Sequence, residues 1–252
     1  MYGTVFIIIY KKCMMEGIMK FVVEKEIFEK IPDLCFGVVM AEGITNNINC
    51  AEIHNILSEA INNTALRLDG TKVKESSEII PYREAFRSLG INPNKYMCSI
   101  EALFTRIAKG KGMPFINPVV DLGNAISLKY TLPIGAHDLK NAHSDICVRF
   151  SCPGDTFLPF GESIEETPEE KEVVYAVGNQ IRTRRWTWRQ SEHGKIEADS
   201  SVVFFPIDGF ADFNKEKVMA ARDELASLLE RFFSCDLKTG FVDAEHPDME
   251  LF

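Results

Sequence analysis

Apolar residues recur at helical spacing in four stretches of the chain, and each stretch predicts a helix. The first covers residues 49–68, with Asn47 or Asn49 as the candidate N-cap and Asp69–Gly70 as the stop signal. Its apolar side is formed by Ile53, Ile56, Leu57, Ala60 and Ile61. The other three helices are predicted over residues 82–89, from Ser99 past Arg106, and over residues 214–233.

Short apolar runs bounded by turn residues predict buried strands between these helices. The predicted strands are Cys35–Met40, Ile146–Phe150, Glu172–Val177 and Ser201–Phe205. A further apolar stretch begins at residues 119–122 and leads to Pro133. Because helices and strands are interspersed without strict alternation, the pattern favours an α+β fold over a doubly wound sheet.

The chain has 252 residues, 46% of them hydrophobic, which is enough apolar material for one large domain or two small ones. We expect residues 19–240 to form the fold, residues 1–18 to be an N-terminal extension outside it, and residues 241–252 to be a C-terminal tail. The N-terminal apolar run covers only residues 5–10, and no stretch approaches the roughly 20 apolar residues of a membrane span. The expectation is a cytoplasmic protein without membrane contact.

Acidic residues are in excess, with a formal net charge of -9 and a pI of about 5.2. This balance does not favour tight, nonspecific nucleic-acid binding, although it leaves room for a local basic stripe. The seven cysteines have no repeating frame, which indicates reduced thiols rather than a zinc site, and the five histidines show no ligand spacing. The sequence therefore predicts no metal or other cofactor, and no obligate protein partner can be read from it.

The segment I-R-T-R-R-W-T-W-R-Q at residues 181–190 concentrates arginine and tryptophan. Read as one strand, it places Arg182, Arg184, Trp186 and Trp188 on one face. Guanidinium groups and aromatic rings suit a single-stranded nucleic acid, which we expect to contact Arg182, Arg184, Arg185 and Arg189, with Lys109 and Lys111 as the alternative contact. The composition equally fits a carboxylate-rich partner, a structural arginine–tryptophan stack, or intramolecular pairing with the acidic run Glu162–Glu172.

Three ordered motifs carry a resemblance to a known family. They are P-Y-R-E-A-F-R-S-L-G-I-N-P-N-K-Y at residues 81–96, S-I-E-A-L-F-T-R-I-A-K-G-K-G-M-P-F-I-N-P-V-V-D-L-G-N at residues 99–124, and L-P-I-G-A-H-D at residues 132–138. The second and third motifs resemble the B3/B4 domain, the tRNA-editing domain of the bacterial phenylalanyl-tRNA synthetase beta subunit. Residues 20–235 as a whole, including the first motif and the arginine–tryptophan segment, resemble free-standing bacterial proteins built from this domain. The resemblance implies an α+β fold with a mixed sheet, flanking helices and a central cleft.

The resemblance also implies site residues in that cleft. Asn124 matches the family's Asn and is expected to orient the amino acid or the attacking water. Gly123 replaces the family's Thr, and Gly135 stands where the family has its pocket His, so both are expected to border the substrate. His137 lies two residues further on and would take the catalytic role if the loop differs, because a two-residue offset restores the direction of a side chain on a strand.

Other positions depart further from the family pattern. Asp121 is a third catalytic candidate, as an acid or a base, while the alternative that it caps a turn or pairs with Arg106 stays open. Trp186 and Trp188 replace the family's small, Gly-rich wall and are expected to contact the substrate. The family's Glu on the later strand has no counterpart, since that strand reads V-V-F-F-P at residues 202–206.

Three functions are consistent with these residues. The family's domain hydrolyses tyrosine wrongly attached to the phenylalanine tRNA, so the resemblance predicts a deacylase that acts in trans on mischarged aminoacyl-tRNA and binds the acceptor end. The alternatives are a non-catalytic tRNA- or RNA-binding module, and a tRNA-independent small-molecule hydrolase or amino-acid binder. A full synthetase is not expected, because neither a class II catalytic core nor an ATP site is found.

Overall fold

Two β-sheets packed against each other, with helices on the outer face of the smaller one, form the framework of the protein. The computed structural model describes residues 18–46, 48 and 50–251. Apart from Ile18, the expected extension at residues 1–18 lies outside the described residues, as do the candidate N-caps Asn47 and Asn49.

The described residues contain ten strands and six α-helices. The strands are β1 (Lys20–Val23), β2 (Leu34–Glu42), β3 (His137–Asp138), β4 (Ile146–Phe150), β5 (Val173–Val177), β6 (Gln180–Arg184), β7 (Arg189–Gln190), β8 (Val202–Phe210), β9 (Asp236–Val242) and β10 (Asp248–Glu250). The helices are α1 (Lys25–Lys30), α2 (Ala51–Arg67), α3 (Ile80–Ser88), α4 (Ser99–Ala108), α5 (Pro118–Tyr130) and α6 (Ala211–Phe233), with a 3-10 turn at Val73–Glu75.

The larger sheet is mixed and has the strand order β10–β1–β4–β5–β6–β7. Only the pair β1–β4 is parallel in it. The smaller sheet has the order β3–β8–β2–β9 and is antiparallel throughout. The two sheets and their helices confirm the expected α+β fold with a mixed sheet and flanking helices.

The strands β2 and β8 pair along their whole length, from Leu34 opposite Phe210 to Glu42 opposite Val202. Their continuous apolar runs are almost fully buried, because one face meets the larger sheet and the other meets helices. Gly37 and Gly209 permit the close approach of α6, since a Cβ at either position would lie 2.9 Å or less from a methyl group of Val218. The longest helix is therefore seated directly on the central strand pair.

Two apolar clusters fill the layers. Between the sheets, the ring of Phe21 packs against Phe36 and Phe204 at centroid distances of 5.5 and 5.0 Å. On the other face of the smaller sheet, α2, α5 and α6 bury side chains such as Ile53 and Leu225. None of the described helices is both long and apolar enough to cross a lipid bilayer.

Most of the predicted elements are confirmed within a few residues. Helices α2, α3, α4 and α6 cover the four predicted helices. Strand β8 continues past the predicted end at Phe205. It runs through Pro206, whose carbonyl oxygen accepts a hydrogen bond from the Gly135 N–H at 3.0 Å. Proline therefore does not interrupt this strand.

Two segments have a structure that the sequence pattern did not assign. The stretch after Val119 is helix α5, whose N-cap Asn117 accepts the Val120 N–H through Oδ1 at 3.0 Å. Residues 241–252 were expected to be a tail, but β9 runs to Val242 and β10 pairs with β1. The buried side chain of Leu251 explains why this end of the chain packs on the domain.

Candidate functional site

A cleft of about 620 Å³ opens between α4, α5, the segment before β3 and the segment after β7. It joins the second and third sequence motifs, at residues 99–124 and 132–138. Its apolar walls include Leu103, Val120, Ile134, Ala136, Phe160 and Ile196. Concave, mostly apolar sites with a few polar groups are typical of small-ligand binding, so this cleft is the candidate site.

Two amide side chains interrupt the apolar walls, Asn124 of α5 and Gln190 of β7. Gln190 Nε2 donates a hydrogen bond of 2.6 Å to the carbonyl oxygen of Ala136, which fixes its orientation. The half-buried Asn124 amide makes no hydrogen bond to any other described residue. Its donor and its acceptor are therefore both available to a ligand.

Two cationic side chains also border the cleft, Arg106 of α4 and Lys195 of the segment after β7. Arg106 is held by a 2.7 Å hydrogen bond from Nε to the Gly112 carbonyl oxygen. Lys195 Nζ lies 3.2 Å from a carboxylate oxygen of Glu192. Among the described residues that line the cleft, none carries a carboxylate, imidazole, hydroxyl or thiol group. The cleft therefore favours an anionic or electron-rich group next to an apolar one.

Asp121 is close to the cleft in sequence but is not part of its surface. The side chain is fully buried, and Oδ1 accepts the Ile116 N–H at 2.9 Å. Burial raises the pKa of this carboxyl, against the hydrogen bond from Ile116, which lowers it. This hydrogen bond anchors the segment before α5, as expected from the alternative that Asp121 caps a turn. Asp121 and Arg106 form no ion pair.

His137 is buried on the far side of the cleft wall, 2% exposed. Its ring stacks on Tyr175 and packs on Phe204, at centroid distances of 5.9 and 6.2 Å. Burial, and secondarily the charge of Arg182, lower the pKa of His137 to about 3. The imidazole is therefore neutral near pH 7, and the expectation that it reaches the cleft is wrong.

The two glycines expected at the substrate both border the cleft. Gly123 lies within α5, and a Cβ there would have its nearest neighbour, Phe205 Cε1, at 3.9 Å. Gly135 is more restricted, because a Cβ there would meet His137 Nε2 at 2.9 Å and Pro206 Cγ at 3.1 Å. Gly135 thus allows the His137 ring to pack directly behind the cleft wall.

The tryptophans do not form a wall of the cleft. Trp186 is fully buried in the core, where its Nε1 donates a hydrogen bond of 2.6 Å to Asp208 Oδ1. Trp188 is half-buried and packs edge-on against Tyr96, at a centroid distance of 4.7 Å. Strand β6 ends at Arg184, and the chain turns back through residues 185–188 to β7, so the single-strand interpretation is wrong.

The arginines of this hairpin pair mainly within the molecule. Arg184 forms two hydrogen bonds to the buried carboxylate of Glu172, at 2.9 and 2.8 Å, and an ion pair with Glu166 at 2.9 Å. Arg185 pairs with Glu169 at 2.8 Å and stacks over the ring of Tyr96 at 3.9 Å. The acidic run is thus the partner of these two arginines, which leaves them enclosed rather than open to a nucleic acid.

The other two arginines of the segment differ from each other. Arg182 is buried, and its Nε and Nη2 have no hydrogen-bond partner among the described residues. Burial lowers the pKa of its guanidinium, while Asp138 raises it. Arg189 in β7 is half-buried, and its side chain makes no ion pair with a described residue. Of the four, only Arg189 is placed to contact a partner from solvent.

Several lining residues were missed by the sequence analysis. Gln190 is the last residue of the arginine–tryptophan segment, and its position one residue after Arg189 was the only available signal. Phe160 and Lys195 lie in irregular segments where no periodicity indicates the direction of a side chain. Among the described residues, no group of three or more His, Cys, Asp and Glu side chains is arranged to hold a metal ion.

Comparisons with known proteins agree with the motif resemblance. A model of the B3/4 domain family matches residues 81–237. A solved structure to which this chain is similar is an N-terminal fragment of the phenylalanyl-tRNA synthetase beta subunit from Pyrococcus horikoshii, with a TM-score of 0.46 and 11% sequence identity. The match covers 88% of this chain and 54% of that one, so this chain spans about half of the fragment. No curated protein matches the sequence.

Proposed function

Because this chain belongs to the B3/4 domain family, we propose that it is a tRNA-associated editing-type protein that acts in trans. Its cleft binds the aminoacylated end of a mischarged tRNA, and the ester bond is hydrolysed there. A protein with this substrate works in the cytoplasm, where charged tRNA is used. The proposal rests on the family, on the motif resemblance, and on one observation in the cleft, the unbonded amide of Asn124 among apolar walls.

The shape and lining of the cleft fit the amino-acid part of such a substrate. A volume of about 620 Å³ is sufficient for an aminoacyl group together with part of a nucleoside. Apolar side chains such as Leu103 and Ile134 would surround the side chain of the amino acid. Gly123 lacks a side chain at this wall and leaves additional space, which favours a substrate larger than the family's Thr would admit.

Hydrolysis by this cleft would depend on positioning rather than on acid–base groups. An aminoacyl ester is already activated, so a water held within about 3 Å of its carbonyl carbon is sufficient when donors stabilise the developing oxyanion. Asn124 supplies an acceptor for that water and a donor for the substrate. The positive charges of Arg106 and Lys195 would stabilise negative charge at the mouth of the cleft.

A non-catalytic tRNA- or RNA-binding module is the alternative, and a specific observation favours it. Two of the three expected catalytic residues, Asp121 and His137, are enclosed behind the walls of the cleft. The described lining residues provide no general base in their place. A cleft of this kind would bind an aminoacyl end and protect its ester instead of cleaving it.

The test is deacylation of a panel of mischarged tRNAs, including the phenylalanine tRNA charged with tyrosine, by the full chain. We expect turnover that falls roughly 100-fold in Asn124→Ala, the loss typical when one polar contact to the reacting ester is removed. Asn141→Ala is the matched control, since Asn141 is exposed and lies outside the cleft. It should retain the wild-type rate.

The other outcomes separate the alternatives. Binding of tRNA without turnover across the panel would contradict the enzyme and support the binding module. Equal rates with aminoacyl-tRNA and with the corresponding free amino-acid methyl ester would support a tRNA-independent hydrolase. A wild-type rate in Asn124→Ala would place the chemistry outside this cleft.

A further inference from the structure

A second groove, of about 350 Å³, lies on the other side of α4 from the cleft. Its walls are the 3-10 turn at Val73–Glu75, the end of α4, and the segment between α3 and α4. Leu103 and Arg106 of α4 border the cleft, whereas Thr105 of α4 and Lys109, which directly follows the helix, border the groove. The same helix therefore separates two distinct concave surfaces.

The rim of the groove is basic, although the whole chain has a net charge of -9. Lys72, Lys74 and Lys109 border it and are exposed. Lys72 forms an exposed ion pair with Glu75 at 3.4 Å, but Lys74 and Lys109 have no ion pair with a described residue. Two ammonium groups at one concave surface, neither of them in an ion pair with a described residue, provide a site for a phosphate group.

The base of the groove carries a buried ion pair with an unused acceptor. Arg83 donates hydrogen bonds to Glu101 Oε1, to Asn94 Oδ1 at 2.5 Å and to the Pro93 carbonyl oxygen at 3.1 Å. Glu101 is 2% exposed, and its Oε2 has no hydrogen-bond partner among the described residues. A buried carboxylate oxygen without a donor is costly, so a ligand that donates a hydrogen bond there would be favoured.

We propose that this groove binds a nucleotide, with its phosphate on Lys74 and Lys109 and an amino or hydroxyl group donated to Glu101. A nucleotide combines the two features that the groove requires, an anionic phosphate and hydrogen-bond donors on the base or the sugar. The volume fits one nucleotide rather than a duplex. This inference goes beyond the proposed function, because it requires neither the cleft nor any hydrolysis.

The nucleotide can be free or part of a single-stranded RNA, and the test distinguishes the two sources. Binding of adenosine 5′-monophosphate, adenosine and inorganic phosphate to the full chain is measured by calorimetry. Binding of a labelled five-nucleotide RNA is measured by fluorescence anisotropy over a range of salt. We expect the monophosphate to bind at least about 10-fold more tightly than adenosine or phosphate alone, since each of these lacks one of the two contacts.

Two variants localise the binding. The double variant Lys74→Ala with Lys109→Ala should bind the monophosphate at least about 10-fold more weakly than the wild type does. The matched control is Lys25→Ala with Lys30→Ala, which removes the same charge from α1 and should change nothing. Ala108→Phe fills the groove from an exposed position without changing any charge, and it should also abolish binding.

The salt dependence identifies the source of the nucleotide. Tighter binding of the RNA than of the monophosphate, with a salt slope that falls by about 1.4 in the Lys74/Lys109 variant, would assign an RNA strand. Equal affinities for the RNA and for the monophosphate would identify a free nucleotide as the ligand of the groove. The proposal is overturned if neither ligand binds, if phosphate binds as tightly as the monophosphate, or if both double variants lose affinity equally. Each result can be read without aminoacyl-tRNA, so it is independent of the deacylation test.

Discussion

The indole Nε1 of Trp186 donates a hydrogen bond of 2.6 Å to Oδ1 of Asp208, and both side chains are enclosed in the core. The Tyr175 hydroxyl donates to the same oxygen, also at 2.6 Å. Burial raises the pKa of Asp208 to about 7, whereas the two hydrogen bonds lower it. The loop after β6 is therefore tied to β8 through a carboxyl group that changes its charge near neutral pH.

We expect this carboxyl to make the protein less stable as the pH rises from about 4 to about 7. The pKa of Asp208 in the folded chain is about 7, above the value of about 3.9 for an aspartate in an unfolded chain. Between these values the folded state holds a proton that the unfolded state has lost, so raising the pH favours unfolding. The full effect on the free energy of unfolding is of the order of 4 kcal/mol, and above pH 7 it is complete.

Asp208→Asn tests this expectation, because it keeps an acceptor for Trp186 and Tyr175 but cannot titrate. Urea unfolding at pH 5 and pH 8 should show that the variant gains stability relative to wild type as the pH rises. Comparison with wild type cancels the contributions of all other titrating groups. Asp69→Asn, at an exposed position, is the control and should follow wild type. The same pH dependence in Asp208→Asn and wild type would contradict the role of Asp208.

Elements with a local pattern could be predicted from the sequence, whereas contacts between elements could not. Strand β4 was predicted to the residue, because Ile146–Phe150 is an apolar run with turn residues around it. The end of β6 was missed because Arg185 and Trp186 adopt left-handed backbone conformations, with φ of 45° and 59°. Such conformations usually indicate glycine, so side chains of this size give no local signal for a turn.

The candidate site was predicted in part for the same reason. Asn124, Gly123 and Gly135 were expected at the cleft because they lie in motifs whose positions the family resemblance defines. The structure places all three in its lining. His137 was placed there on the assumption of continuous strand alternation, but β3 contains only His137 and Asp138, and Gly135 precedes it. The alternation rule therefore does not connect the two positions, and the direction of the imidazole is decided by packing on Tyr175.

Arg184→Ala should destabilise the protein by about 3 kcal/mol, because it removes two hydrogen bonds from the buried carboxylate of Glu172. The carboxylate keeps only the Arg185 backbone N–H at 3.0 Å and the Arg185 guanidinium at 3.5 Å. The Arg184 and Glu172 side chains are only 8% and 3% exposed, so water cannot replace the lost contact. Arg189→Ala is the matched control and should change the stability by less than about 0.5 kcal/mol. Urea unfolding of both variants is the measurement. Wild-type stability of Arg184→Ala, together with weaker RNA binding, would instead support a nucleic-acid contact.

The two glycines of the cleft should respond differently to alanine. Gly123→Ala should stabilise the protein by roughly 0.5–1 kcal/mol, because the residue is helical and the new methyl group meets nothing closer than 3.9 Å. Gly135→Ala should destabilise it by roughly 1–3 kcal/mol, because the methyl group would displace His137 or Pro206. Thermal unfolding of the two variants gives both values. Equal effects would show that the wall at Gly135 is not held as closely as the structure indicates.

His137 should affect stability but not the pH dependence of any deacylation. Its pKa is lowered to about 3 in the folded chain from an ordinary value near 6.5, so the unfolded chain gains a proton first as the pH falls. The protein should therefore lose stability between pH 6.5 and pH 4 through this residue, opposite in sign to Asp208. In the Asp208→Asn background, where the opposing titration is absent, urea unfolding should show this loss directly.

Adding His137→Gln to that background removes the titrating ring and should remove the acid-dependent loss of stability. If the cleft hydrolyses aminoacyl-tRNA, the pH dependence of the rate per folded molecule should be the same in His137→Gln as in its parent, because the neutral imidazole is separated from the cleft by Gly135. His137→Gln should then keep the rate, whereas Asn124→Ala loses it. An inflection near pH 6.5 that disappears in His137→Gln would show that the imidazole reaches the substrate after all.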